Sequence, residues 1–460
     1  VLGLLGDVEE DEDGDIGEVG RNTTFLTLCA NNLLYWFCLD NPQNQALAYA
    51  EIDTFVDSLD AGINSHLVLS AIFSENEKLM RLVNRSTIES MVDLICKEGK
   101  RHQYLELLSS ITNVGEKNIS ENQYEIVKIL TQPGRFDKVS VFMCGIDSPE
   151  YVEKLELMEP FLNKKNVTLE ELPPLLIYYM RLMGVLSACT VGRLNVTVVE
   201  AKIQSAFSFE DLLMGMLDPS CLLLTKLYMA MFYFDVIIDV EMAVPSLERS
   251  VNVWRHLVCC VDVLDCAIAE IKLLSEHGLD SDIPDHAIIN YAGVCAAILT
   301  GFFTRYFEAA NFRAYLDSQD GMKLKFLNLS TLLPSLHERL LEIHQMKCPY
   351  LCMHDKISYF DALDAVGRNV HFFNPSVPRP LDKLVSPLEE EKSKGVLVKD
   401  VTVEEAIVNK FNEFMEEISN DPKIQLSVAN ESRIFIDKIE VLPVLKNRDV
   451  EGDVRFEIFI

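Results

Sequence analysis

No Gly-rich phosphate loop, nucleophile elbow or paired-histidine motif occurs in the 460-residue sequence. The usual starting points for nucleotide, acyl-transfer and zinc-hydrolase chemistry are therefore missing. Cationic side chains are also short. Lys and Arg number 41 against 71 Asp and Glu, so that 41 − 71 = −30, which argues against binding nucleic acid or an anionic membrane surface. The twelve cysteines have no framework spacing. Cys189, Cys221 and Cys295 fall in apolar helical runs, as do Cys259, Cys260 and Cys266, and all read as reduced core residues of a cytosolic protein. No signal peptide opens the chain, so its seven Asn-x-Ser/Thr sequons read as chance. Residues 287–304 carry no formal charge and are long enough for a membrane span. Asn290, Gly293 and Thr300, and the lack of a second such run, favour a buried helix instead.

What is present is apolar residues, 49% of the chain, at helical spacing. Leu176, Met180, Met183 and Ser187 recur at intervals of four and three, and the pattern stops at Gly192. Ser208 and Asp211 have a capping-box spacing ahead of Leu212, Leu213, Met216 and Leu217, which Asp218-Pro219 ends. Leu223, Leu227, Ala230, Phe232 and Phe234 leave almost no polar face, so this helix needs cover on nearly all sides. Upstream, residues 24–37 form an apolar helix, and Ser86 with Glu89 and Ser120 with Gln123 make two further capping boxes. Helix-turn units recurring roughly every 20–35 residues predict an all-α fold, an armadillo-like α-solenoid of helical hairpins.

The ends differ from the middle. Glu9, Asp11, Asp13, Gly14, Asp15 and Ile16 fit the early positions of an EF-hand loop, but Gly20 stands where the bidentate glutamate belongs. A solvated acidic linker is the reading. Pro349, Pro375, Pro378, Pro380 and Pro387 preclude long helices in the region around them. Thr402 and Glu405 cap a short helix, and alternating apolar residues at 435–441 and 454–460 predict a short C-terminal β-hairpin. The expected divisions are an acidic disordered linker (1–23), two helical blocks (24–165 and 166–346), a Pro-containing linker (347–400) and a short helix with the hairpin (401–460). Beginning with Val and ending on a strand, the chain reads as a fragment.

The one metal-like cluster is Cys348, Cys352 and His354 with His344 upstream. Four N/S donors could close a zinc tetrahedron, but the spacing matches no usual knuckle, and incidental placement near a helix end is the favoured reading. No catalytic residue and no cofactor is assigned.

Four local patterns stand in order along the chain. They are Tyr104-Leu105-Glu106-Leu107-Leu108, then Glu121-Asn122-Gln123-Tyr124-Glu125-Ile126 after Ser120, then Ala188-Cys189-Thr190-x-Gly192, and last Asp239-Val240-Glu241-Met242 followed by Trp254. Together they resemble the homology domain shared by inositol trisphosphate receptors and ryanodine receptors, the intracellular calcium-release channels. Asn122, Gln123, Cys189, Thr190, Glu241, Met242 and Trp254 are the landmarks. Lys438-Ile439-Glu440-Val441 and Arg455-Phe456-Glu457-Ile458 resemble the strand pair these channels place before their first membrane helix. That resemblance makes Ile439, Glu440, Val441, Arg455, Phe456 and Ile458 gate-coupling candidates.

The resemblance implies the cytosolic regulatory portion of a tetrameric ligand-gated channel at the cytosolic face of the endoplasmic reticulum, relaying ligand state to a pore outside this chain. Its partners would be the rest of the polypeptide and neighbouring subunits of a homotetramer, with no nucleic acid and with membrane contact only through the pore. Calcium would act as a regulator of the whole channel. Two features depart from the family. Pro42-Gln43 replaces an Arg-Lys pair that helps hold the phosphates, among Asp40, Glu51, Asp53 and Asp57, so trisphosphate binding is not expected here. The family's Ser-Leu-Thr-Glu-Tyr calcium motif is also absent, and no calcium ligand is assigned. A free-standing armadillo-like protein-interaction scaffold is the alternative.

Overall fold

The computed structural model describes residues 18–59, 61–115, 117–192, 196–279, 283–375 and 384–388. The EF-hand-like run, the helix expected from Thr402 and the six gate-coupling candidates lie outside them. Described residues up to Leu384 belong to one compact unit, which therefore holds both expected helical blocks.

Regular structure among the described residues is helical apart from one antiparallel ladder, β1 (Asn113–Val114) with β2 (Lys117–Asn118), pairing Asn113 with Asn118. Before the long apolar helix come α1 (Glu18–Cys38), α2 (Pro42–Tyr49), α3 (Ile52–Asp57), α4 (Ser65–Phe73), α5 (Glu77–Met80), α6 (Arg85–Glu98), α7 (His102–Ser109), α8 (Ser120–Leu130), α9 (Phe136–Val139) and α10 (Pro149–Met158). That helix is α11 (Pro174–Thr190), followed by α12 (Val196–Ala206), α13 (Phe209–Leu217), α14 (Leu223–Tyr233), α15 (Val251–His277), α16 (His286–Arg305), α17 (Ala309–Leu316), α18 (Leu329–Met346) and α19 (Met353–Phe373). The fold is all-α.

Several starts are set by side-chain caps, each contributing on the order of 1 kcal/mol. Ser208 accepts from the Asp211 amide at 3.3 Å, as its spacing predicts. The other two expected boxes do not form. Asn84, two residues before Ser86, caps α6 by accepting from Thr87 N at 2.9 Å. Ser120 is the first residue of α8 rather than its cap, and Ile119 at the cap position supplies no side-chain bond.

Packing runs without interruption through the unit. Helix α1 lies against α4, α4 against α7, α7 against α11, α11 against α14, α14 against α16 and α16 against α19. In α11, twelve of seventeen residues are buried, which accounts for its nearly continuous apolar composition. The uncharged stretch at 287–304 is α16, covered by α14, α15 and α19, as expected of a buried helix. Among the described residues it is also the one helix long and apolar enough to cross a membrane.

Four expectations are corrected. Helix α1 starts at Glu18, inside the segment expected to be linker. The expected Pro-containing linker holds the 21-residue α19, because Pro349 and Pro375 bracket this window rather than interrupt it. Within the window Tyr359, Leu363, Val366 and Val370 recur at helical spacing and are buried. Cys259 and Cys266 are exposed, since only Cys260 falls on the covered side of α15. Helix α14 leaves Met231 44% exposed, so its cover is incomplete. The apolar helix α1 likewise turns Phe25, Leu33 and Trp36 to solvent.

Candidate functional site: the junction of α8, α11 and the turn at 234–242

Asn122 and Gln123 are adjacent, buried, and point their amides in different directions. The Asn122 side chain donates to Met80 O at 2.9 Å and Ile111 O at 3.0 Å, fastening α8 to the end of α5 and the segment after α7. Gln123 donates instead to Ala188 O at 2.9 Å and Val191 O at 3.1 Å. These are carbonyls at the end of α11, where a helix leaves its last C=O groups without intrahelical partners. One glutamine side chain thus supplies donors to the terminus of the next large helix. The chain turns there at Gly192, with φ +119°, where a Cβ would come within 2.6 Å of Asn118 Nδ2. Cys189 is fully buried, with its thiol pKa raised by burial, and Thr190 bonds back to Ser187 O at 2.8 Å.

After α14 the helix widens. Residues Phe234–Ile238 form a π-turn in which Asp239 N bonds Phe234 O at 2.7 Å. A π-turn displaces carbonyls from their regular partners, and here three consecutive ones are met from outside. Val236 O accepts from Gln204 of α12 at 2.7 Å, Ile237 O from the Tyr306 hydroxyl at 2.7 Å, and Ile238 O from Arg305 at 3.2 Å. The Arg305 guanidinium also reaches Val240 O and the Asp239 carboxylate. Glu241 is fixed at both ends, its amide by Glu200 Oε1 at 3.1 Å and its carboxylate by Thr197 at 2.8 Å. Met242 beside it is 67% exposed.

Between this turn and the end of α11 is a cleft of about 820 Å³ lined by Asn118, Thr190, Glu200, Asp235, Asp239, Glu241 and Arg305, among others. Four carboxylates against one guanidinium disfavour an anionic occupant. Burial pushes Asp235 up to about 6, opposed by the Ser187 hydroxyl and reinforced by Asp239. The Glu200 carboxyl is also raised, chiefly by burial.

Trp254 lies outside the cleft and anchors the following layer. It is fully buried, donates from Nε1 to Glu248 O at 2.7 Å, and packs its ring on Phe302, Phe307 and Phe312 at centroid distances of 5.2, 5.7 and 4.8 Å. The landmarks therefore do not form one cluster. Gln123, Cys189, Thr190 and Glu241 lie at the junction, while Asn122 ties α8 to the preceding helices, Trp254 fastens the next layer and Met242 faces solvent.

The four zinc candidates are dispersed in character. Cys348 is buried, Cys352 is exposed and bonded to Asp355 Oδ2 at 3.0 Å, the His354 side chain is 88% exposed, and the His344 ring packs on Phe360. Among the described residues, the three His, Cys or carboxylate side chains whose ligand atoms do converge are His256, Cys260 and Cys295. Sequence reading assigned both of those cysteines to the core. The available signal was His256 and Cys260 one helical turn apart. Gln204, Arg305 and Tyr306 were also missed, because their role depends on a π-turn that leaves no clear mark in the sequence.

Within this all-α unit, Gln123 and the residues around the turn at 234–242 knit one helix terminus to the next. Residues 8–137 match the family model described as the RIH domain, that of the ryanodine and inositol trisphosphate receptors. This part of the chain is thus similar to the RIH domain of those receptors. The match takes in α1 to α8, including Asn122 and Gln123, and ends before α11.

Proposed function

We propose that the chain is the cytosolic regulatory and coupling portion of a tetrameric, ligand-gated intracellular calcium-release channel, acting at the cytosolic face of the endoplasmic reticulum. The observation that carries the reading is the Gln123 clamp. Helix α8, near the end of the matched region, carries an amide side chain that holds the terminus of α11, and α11 leads through α14 and α16 to α19. A packed interior is not continuously deformable. Displacement of α8 by a ligand event upstream would therefore move α11 and its successors as bodies. The uninterrupted helix-on-helix run supports an armadillo-like solenoid as the form of the relay. The residues at the junction work as fasteners, and no chemistry is asked of them.

In this reading the pore lies in polypeptide beyond Ile460, and the segment with Ile439 and Phe456 would couple to it. The carboxylates around the junction disfavour the trisphosphate as an occupant there. A free-standing interaction scaffold is the second reading, favoured by the exposed apolar side of α1, where Phe25 is 65% and Trp36 58% exposed. The coding sequence downstream of the Ile460 codon separates the two. A run of membrane helices with a Gly-rich filter is expected, and an in-frame stop shortly after Ile460 would overturn the channel reading.

A further inference from the structure

Helix α15 carries His256 and Cys260 one turn apart, so both side chains project from one face. That face packs against α16, which brings Cys295 to the same point. All three are buried, with His256 2%, Cys260 1% and Cys295 0% exposed. Their ligand atoms lie within 4.8 Å of one another. The His256 Nε2 atom, although buried, has no hydrogen-bond partner. An unsatisfied buried imidazole nitrogen costs about 1–3 kcal/mol, so it needs either a reason or a ligand.

We propose that His256, Cys260 and Cys295 form a structural zinc site that clamps α15 to α16. Zinc bonds of about 2.3 Å to sulfur and 2.0–2.1 Å to nitrogen place tetrahedral donors roughly 3.5–3.8 Å apart. Atoms already within 4.8 Å of one another reach that spacing by small side-chain rotations. Charge selects the ion. Two thiolates and a neutral imidazole carry −2, so a divalent ion makes a neutral cluster, the form a closed apolar interior tolerates. Copper(I), which also favours thiolates, would leave a buried net charge of −1. Binding releases the two thiol protons to solvent and joins the metal to three side chains and one water in the fourth position, with no change of oxidation state.

The surroundings suit a support shell. Tyr291 stands one helical turn before Cys295 on α16 and is buried beside it, in position for the kind of partner that orients a metal ligand. The Tyr233 ring of α14 stands 6.4 Å from the His256 ring. The metal would thus sit where α15 and α16 pack together, one helix layer beyond α14 and the π-turn. A disulfide between Cys260 and Cys295 is the competing use of the sulfurs, and it would leave Nε2 of His256 without a partner.

The test uses the whole chain, produced under reducing conditions with zinc present, and metal content measured by elemental analysis and native mass spectrometry. One zinc per chain is expected. Cobalt(II) in its place should give the visible bands of a tetrahedral thiolate complex. The double variant Cys348→Ser, Cys352→Ser should keep the metal, whereas Cys295→Ser should lose it. Because Cys295→Ser could fail to fold, the wild-type melting temperature is also measured, and a strong chelator should lower it. A metal-free wild-type chain, chelator-insensitive melting, a mass two daltons low from a Cys260–Cys295 disulfide, or metal lost only from the Cys348, Cys352 variant would each overturn the assignment.

Discussion

Gln123 donates to the carbonyl of Ala188 at 2.9 Å across 65 residues of sequence, with a second bond to Val191 O at 3.1 Å. Replacing it tests whether the contact is needed. Gln123→Leu keeps most of the volume and leaves two carbonyls of the α11 terminus without this donor. The expected loss is about 1–3 kcal/mol, read as a lower urea midpoint with unchanged slope. Gln123→Glu should cost more at neutral pH, since a carboxylate would then face two carbonyl oxygens.

Arg305 serves Ile238 O, Val240 O and the Asp239 carboxylate together. A lysine keeps the charge but not the planar fork, so Arg305→Lys should fail to restore what Arg305→Met loses. In both variants hydrogen exchange is expected to speed up at the amides of 236–242. Protection in the α1–α4 region should stay as it is in the parent. Unchanged exchange at the turn would show that the guanidinium is not what holds it.

The Asp235 carboxyl is pushed up to about 6, mainly by burial, from an ordinary value near 3.8. The folded state therefore holds this proton more tightly than the unfolded chain. Its contribution to stability falls as pH rises from about 4 to about 6, and the penalty is complete above that. Asp235→Asn mimics the protonated form. It should be more stable than the parent at pH 7.5, with the difference closing toward pH 4, which paired thermal melts across that range would show.

Trp254 fills the space among Phe302, Phe307 and Phe312 and bonds Glu248 O. Trp254→Ala removes the ring from a closed interior and should cost about 3–5 kcal/mol. Trp254→Phe should lose less, retaining ring contacts but not the indole N–H. Near-wild-type melting of the alanine variant would mean that the layer around α16 is not packed as described.

Helical type was readable because apolar residues recur at the helical period over long stretches, most plainly in α11 and α16. Helix starts were less so. Asn84 outcompetes Ser86 as the cap of α6, a choice between two good capping residues that local sequence leaves open. Proline misled at α19, where its position relative to a 21-residue window mattered more than its abundance. Of the junction, Gln123, Cys189, Thr190 and Glu241 could be named from local patterns, but which bond each makes could not. Gln123 and Ala188 meet only through tertiary packing, and the π-turn exists because Gln204, Arg305 and Tyr306 from two other helices satisfy its carbonyls.

The central claim is that this unit relays a signal to a pore. Its most direct test is single-channel recording of the product of the whole open reading frame that encodes this chain, reconstituted in planar bilayers. The account predicts calcium-conducting openings, with Gln123→Leu changing open probability and leaving unitary conductance as it was. A protein that conducts nothing, or a variant that alters conductance while gating normally, would contradict it.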